Sequence, residues 1–135
     1  MELREHETLH EVNEHIKLIQ NPNGLTFGTD AYLLSAFVRP KSRAVAVDLG
    51  SGTGIIPLLC LARDKAARFT AVEIQPSFCD LITRNAALNG MADRLTALHT
   101  DVRDIKADTV GGNLTRVLSQ GDTPREEDNQ IEWPR

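Results

Sequence analysis

An α/β fold built on an incomplete parallel sheet, about three strands with flanking helices, is predicted by three features of the 135-residue chain. Short apolar runs at Ala44–Leu49, Phe69–Ile74 and Leu95–His99 read as buried strands. Segments with helical apolar spacing lie between them, and a glycine cluster joins the first strand to the first of these helices. Strands that alternate with helices pair in parallel through right-handed crossovers.

Four zones follow in order. Residues 1–17 are polar and charged. Residues 18–43 are a lead-in hairpin and helix: Asn21-Pro22-Asn23-Gly24, followed by Leu25-Thr26-Phe27, signals a hairpin-like turn. A helix starting at Thr29 or Asp30 then runs through Ala31, Leu33, Leu34, Ala36 and Phe37 until Pro40 ends it. Residues 44–105 hold the three strands. Ile55 to Lys65 reads as one helix, with Ile55, Ile56, Leu58, Leu59 and Leu61 apolar. Pro76 suits a first helical turn, Phe78, Leu81, Ile82 and Leu88 follow at helical spacing, and Asn89-Gly90 closes that helix. The third strand ends in the acidic turn Asp101-Val102-Arg103-Asp104. Residues 106–135 are rich in polar and turn residues and read as a mostly disordered or aberrant tail without a further strand. A sheet this small leaves an edge uncovered, through which the chain is expected to self-associate.

Composition removes several function classes. The net charge of −4 gives no overall basic footprint for nucleic acid. No run approaches the roughly 18 apolar residues of a membrane span, and the charged N-terminus does not read as a secretory signal. Cys60 and Cys79 sit inside predicted helices and read as small core residues of a cytoplasmic protein. His6-Glu7-Thr8-Leu9-His10 formally matches H-E-x-x-H, which on a helix would present two zinc ligands on one face. In so polar a stretch it reads as a solvated segment, and no metal is expected.

The chemistry concentrates at Asp48-Leu49-Gly50-Ser51-Gly52-Thr53-Gly54. Glycines after a strand and before a helix let a ligand approach the backbone, and the helix start supplies amide donors and a positive dipole end. The spacing is G-x-G-x-G, with Ile55 where a dinucleotide fingerprint has its third glycine, so a pyrophosphate is disfavoured. Glu73, 19 residues after Gly54, falls where an acidic residue accepts hydrogen bonds from ribose hydroxyls; a solvated strand end is the plainer alternative. Asp101 either accepts from an adenine amino group or caps a turn. Asp48 either orients the loop amides or faces the charged end of a cofactor.

These residues resemble a known family. Val47 to Gly54 is similar to the first motif of class I S-adenosylmethionine-dependent methyltransferases, which have a Rossmann-like fold; Ala71-Val72-Glu73-Ile74 resembles their acidic second motif, and Thr100-Asp101-Val102 their adenine-contacting segment. Leu18-Ile19-Gln20-Asn21-Pro22, Phe27-Gly28-Thr29-Asp30-Ala31-Tyr32-Leu33-Leu34 and Arg84-Asn85-Ala86-Ala87-Leu88-Asn89 resemble bacterial enzymes that methylate the exocyclic amino group of an adenine in valine tRNA. The resemblance covers roughly residues 12–105. It implies S-adenosyl-L-methionine as cofactor and tRNA as substrate. It also implies that Asp48, Gly50, Ser51, Gly52, Thr53 and Gly54 form the cofactor loop. Glu73 would hold the ribose, Ile74 beside it would also contact the cofactor, and Asp101 or Val102 would border the adenine. The Phe27–Asp30 segment would close the pocket, although helix capping accounts for Asp30 equally well.

One departure stands out. Such enzymes carry an Asn-Pro-Pro-Tyr motif after their fourth strand, which accepts hydrogen bonds from the target amino group and stacks on the extruded base. This chain has no Pro-Pro pair, and its one tyrosine, Tyr32, lies in the lead-in helix. No catalytic residue is therefore assigned. The expectation is a truncated or frame-shifted methyltransferase that keeps the cofactor half. The alternatives are a non-catalytic cofactor-binding remnant, a half-enzyme needing a partner chain, and a nucleotide-dependent oxidoreductase.

Overall fold

The computed structural model describes residues 2–21, 28–106 and 114–119. Its larger sheet has four parallel strands in the order β5-β4-β3-β6: β3 (Val45–Leu49), β4 (Arg68–Glu73), β5 (Leu95–His99) and β6 (Leu114–Ser119). Three α-helices accompany it: α1 (Thr29–Phe37), α2 (Ile55–Ala62) and α3 (Pro76–Leu88). The α/β class and the three expected strands are present, each within one residue of its expected limits.

The strand β6 corrects the expectation that none follows residue 105. Leu114-Thr115-Arg116-Val117-Leu118-Ser119 has no continuous apolar run, because Arg116 interrupts it. An outer strand needs little more than a free row of partner amides and carbonyls. The far side of β3 supplies that row, with Ala46 against Arg116 and Leu49 against Ser119, after a register shift between Val45 and Ala46. The remaining residues of the expected tail, Trp133 among them, lie outside the described residues, as does the turn expected at Pro22–Phe27.

The core follows from the helix faces. Residues Ile55–Leu61 of α2 are all buried, so this helix is apolar all round and is enclosed by the sheet and by α1. The helix α3 is amphipathic, burying Phe78, Leu81, Ile82, Asn85 and Ala86. Lys65 is buried at the end of α1, where its ammonium donates to the carbonyls of Ser35 (2.6 Å) and Ala36 (3.1 Å). This satisfies last-turn acceptors that have no helical partner. Cys60 is buried and Cys79 partly buried, and neither forms a disulfide.

The N-terminal zone is more ordered than its polarity suggests. The strands β1 (Thr8–Glu11) and β2 (Lys17–Gln20) pair antiparallel, and Asn13 Oδ1 accepts from the His15 and Ile16 amides to form the turn between them. The hairpin therefore turns at residues 12–16. Leu18 enters the main core, while Ile19 packs with Phe78 and Leu81. The H-E-x-x-H stretch is a turn followed by a strand, so its histidines do not share a helical face. Among the described residues no cluster of three or more His, Cys, Asp or Glu could hold a metal, and no helix is long and apolar enough to cross a membrane.

An ion pair fastens this zone to α3. Both guanidinium end nitrogens of Arg84 donate to the Glu7 carboxylate, at 2.6 and 2.8 Å, and one also donates to the Glu2 carbonyl. The Glu7 side chain is 8% exposed. The Arg84 bonds hold its carboxyl at about 2, below its ordinary 4.5. A depressed carboxyl stabilises the fold above its unfolded pKa, and that contribution disappears as pH falls through the folded value. Stability should therefore decline between the ordinary 4.5 and about 2. In Glu7→Gln this part of the decline should vanish, as read from urea midpoints across that pH range.

Candidate cofactor site

The parallel sheet carries the candidate residues at the carboxyl ends of its strands. Gly50 to Gly54 link β3 to α2, Glu73 ends β4 and Ile74 follows it, and Asp101 and Val102 follow β5. Strand order reverses at β3: the path goes outward to β4 and β5, then returns to β6 on the other side. A crevice opens at such a switch point because successive crossovers leave in opposite directions. The three strands expected from the sequence, β3, β4 and β5, run in one direction across the sheet, and β6 creates the reversal.

The loop is shaped by its glycines and held by its neighbours. Gly50, Gly52 and Gly54 have φ of 69°, 58° and 85°, in the left-handed region where a Cβ is unfavourable. The Val72 carbonyl accepts from the Gly50 and Ser51 amides, at 2.9 and 3.0 Å, folding the loop over the end of β4. The Gly54 amide donates to the Ser51 carbonyl (3.0 Å). No side chain caps α2 at Gly54, which leaves its first-turn amides without a side-chain acceptor.

Glu73 is buried, and both of its carboxylate oxygens are engaged. One accepts from the Gly52 amide at 3.1 Å, the other from the Gln75 amide at 2.8 Å. These bonds fix the carboxylate against the glycine loop. A carboxylate has about four acceptor positions, so acceptors remain for two hydroxyls. This is a fixed position, unlike the solvated strand end considered as the alternative.

Asp48 lies wholly buried at the foot of the loop. Its Oδ2 accepts from the Ser51 hydroxyl at 2.6 Å, while Oδ1 has no hydrogen-bond partner among the described residues. Burial raises its carboxyl to about 7; the Ser51 bond opposes that shift and the nearby Glu73 charge adds to it. A buried acceptor without a donor is costly and suits a positively charged ligand group.

Ile74 and Val102 are exposed apolar side chains at 58% and 49%, on the strand ends that flank the crevice. Asp101 begins a short 3₁₀ turn (Val102–Asp104) and accepts from the Arg103 amide at 2.9 Å, so it is a cap. The Arg103 guanidinium also grips its carboxylate, at distances down to 2.6 Å. Those bonds hold the Asp101 carboxyl at about 2. Asp30 is exposed in the first turn of α1, and a Cβ at Gly28 would come within 2.8 Å of its Oδ1. Among the described residues, its carboxylate makes no hydrogen bond with the loop.

Sequence reasoning missed Asn85. This side chain is fully buried on α3, and its Nδ2 donates to the Thr53 carbonyl at 3.0 Å. The available signal was an amide on the apolar stripe of Phe78, Leu81 and Ile82, where a polar group has to find partners.

The tRNA1(Val) (adenine(37)-N6)-methyltransferase of Vibrio parahaemolyticus is 35% identical over 80 residues, covering 59% of this chain and 34% of the relative. The enzyme of the same name from Shewanella amazonensis is 32% identical over 95 residues, covering 70% of this chain and 40% of the relative. The matched chain thus spans well under half the length of these curated relatives. The crystal structure of P. horikoshii TYW2 in complex with MeSAdo superposes with a TM-score of 0.71 at 24% identity, over 93% of this chain and 46% of that one, which shows a shared fold. The TRM5/TYW2 methyltransferase domain matches residues 36–120, a span that includes the glycine loop, Glu73 and β6. With more than half of its length matched, including the strand that creates the crevice, the chain belongs to the TRM5/TYW2 methyltransferase domain family.

Proposed function

We propose that this chain binds S-adenosyl-L-methionine in the crevice at the end of β3, as part of an enzyme that methylates tRNA. The observation that carries the reading is the Glu73 carboxylate, buried and fixed by the Gly52 and Gln75 amides against a loop of three left-handed glycines. The residues fit the cofactor in three ways. Glu73 retains acceptors for two ribose hydroxyls, Ile74 and Val102 offer apolar surface for an adenine, and Asp48 offers a buried acceptor to a cationic end. When bound, the cofactor would supply a methyl group made electrophilic by a positive sulfonium. The part of this chain is to bind and orient that group.

The finer assignment, transfer to the exocyclic amino group of a tRNA adenine, draws support from the names of the curated relatives. A second reading, a cofactor-binding half without the amino-group machinery, is favoured by a specific observation. In the adenine-amino enzymes that the sequence resembles, Asn-Pro-Pro-Tyr follows the fourth strand. Here β6 is the fourth strand of the sheet, and Gln120-Gly121-Asp122-Thr123-Pro124 follows it. That sequence contains no Asn-Pro-Pro-Tyr motif. We therefore assign cofactor binding to this chain and leave the hydrogen bonds to the target amino group to residues outside it. Methyl incorporation into a tRNA transcript by this chain alone would overturn that division.

Calorimetric titration with S-adenosylhomocysteine should give saturable binding, and NAD should give none. Glu73→Ala should weaken that binding about tenfold or more, because a buried acceptor is lost and the loop amide of Gly52 is left unpaired. A folded chain that does not bind S-adenosylhomocysteine would refute the reading.

Asp48 predicts a pH dependence. Its carboxyl titrates at about 7 in the free chain, and a cationic ligand group beside it favours the ionised form. Affinity for S-adenosylmethionine should rise as pH increases through that value and fall below it, with proton release on binding. Asp48→Asn should flatten the profile, which is measurable by titration in buffers of different ionisation enthalpy.

A further inference from the structure

Three glycines give the loop between β3 and α2 backbone freedom that something must remove. Most of the restraints among the described residues come from the loop itself or from its flanking strand ends: the Val72 carbonyl, the Ser51 carbonyl, Asp48 Oδ2 and Glu73 Oε1. The Thr53 carbonyl is held from elsewhere. It accepts from Asn85 Nδ2 at 3.0 Å, and Asn85 belongs to α3.

The same side chain holds the N-terminal hairpin. Asn85 Oδ1 accepts from the Ile19 amide at 2.6 Å, and Nδ2 also donates to the Ile19 carbonyl at 3.0 Å. One fully buried amide thus joins β2, α3 and the glycine loop. The peptide unit is planar, so fixing the Thr53 carbonyl also fixes the Gly54 amide, which donates to the Ser51 carbonyl. Without Asn85 that carbonyl loses the Nδ2 donor, and the left-handed glycines on either side of Thr53 can adopt other angles.

We infer that Asn85 is a positioning residue for the cofactor, which sets the glycine loop in its binding shape and makes that shape depend on docking of the N-terminal hairpin. The inference rests on the reading that the loop binds S-adenosylmethionine. Asn89 supplies the control. One turn further along, its Oδ1 accepts from the Lys17 amide at 2.9 Å and its Nδ2 donates to the Lys17 carbonyl at 2.7 Å. Its remaining bond goes to the Asn85 carbonyl, at 2.8 Å. Both asparagines therefore fasten β2 to α3, and Asn85 alone of the two reaches the loop. If Asn85 served only as a fastener, removal of either would have the same consequence.

The test compares the 135-residue chain with Asn85→Ala and Asn89→Ala at a temperature where each is folded by circular dichroism. Two quantities are read: the dissociation constant for S-adenosylhomocysteine, and amide deuterium exchange across residues 50–54 without ligand. Asn85→Ala should weaken binding about tenfold and speed loop exchange. Asn89→Ala should lower the thermal midpoint while changing both by less than about twofold. Equal effects of the two variants, or no effect of Asn85→Ala, would overturn the inference. Should Asn85→Ala not fold, Asn85→Ser, which keeps a hydroxyl donor, is judged by the same two readouts. If the parent chain fails to bind S-adenosylhomocysteine, the cofactor reading falls, and loop exchange in the Asn85 variant still decides whether this residue positions the loop.

Discussion

The central place of β3, between β4 and β6, sets the geometry of the molecule. A parallel sheet carries its connections across its faces, and right-handed crossovers take α2 and α3 outward with β4 and β5. The next strand, β6, pairs with the other side of β3, so the strand order reverses there. At the carboxyl end of a strand where the order reverses, backbone amides can face a ligand instead of each other. The glycine loop, Glu73 and the exposed Ile74 all lie at the carboxyl ends of the strands, as the last residue of β4 or the first beyond β3 and β4.

Freedom and restraint are balanced within this loop. Left-handed glycines allow the chain to turn sharply and keep side chains out of the way of a ligand. That freedom is compatible with a defined site only if fixed groups select one conformation. Val72, Glu73, Asp48 and Asn85 do so, with carbonyl, carboxylate and amide groups that are mostly buried. Burial strengthens these bonds and also makes the orphan acceptor of Asp48 costly. A buried carboxyl poised near neutrality beside the glycine loop is a cost that a cationic ligand group would relieve.

Ancestry and local chemistry carry different weight here. Membership of the methyltransferase domain family rests on a match reaching residue 120, so part of the segment read from composition as an aberrant tail, β6 included, lies within that match. Moving the fourth strand inside the chain sharpens the question of catalysis. The absent Asn-Pro-Pro-Tyr can no longer be ascribed to a missing strand, because that strand is present and a different sequence follows it.

The sequence by itself determined the fold class, three strands, all three helices and the glycine loop, since each rests on local patterning: an apolar run, a 3.6-residue period or a strand–glycine–helix succession. Glu73 was legible for the same reason, being tied to the loop by a spacing that one βαβ unit imposes. Only the tertiary structure decided the rest. Leu114–Ser119 becomes a strand because β3 offers it a free edge, and the polar N-terminal zone becomes the β1–β2 hairpin as Leu18 and Ile19 enter two different parts of the core. Asn85 looks like a weak helix former until its amide is seen between Ile19 and Thr53, residues 66 and 32 positions away. Contacts that link distant segments leave no periodic trace, because nothing in the local chain requires them until the core has closed.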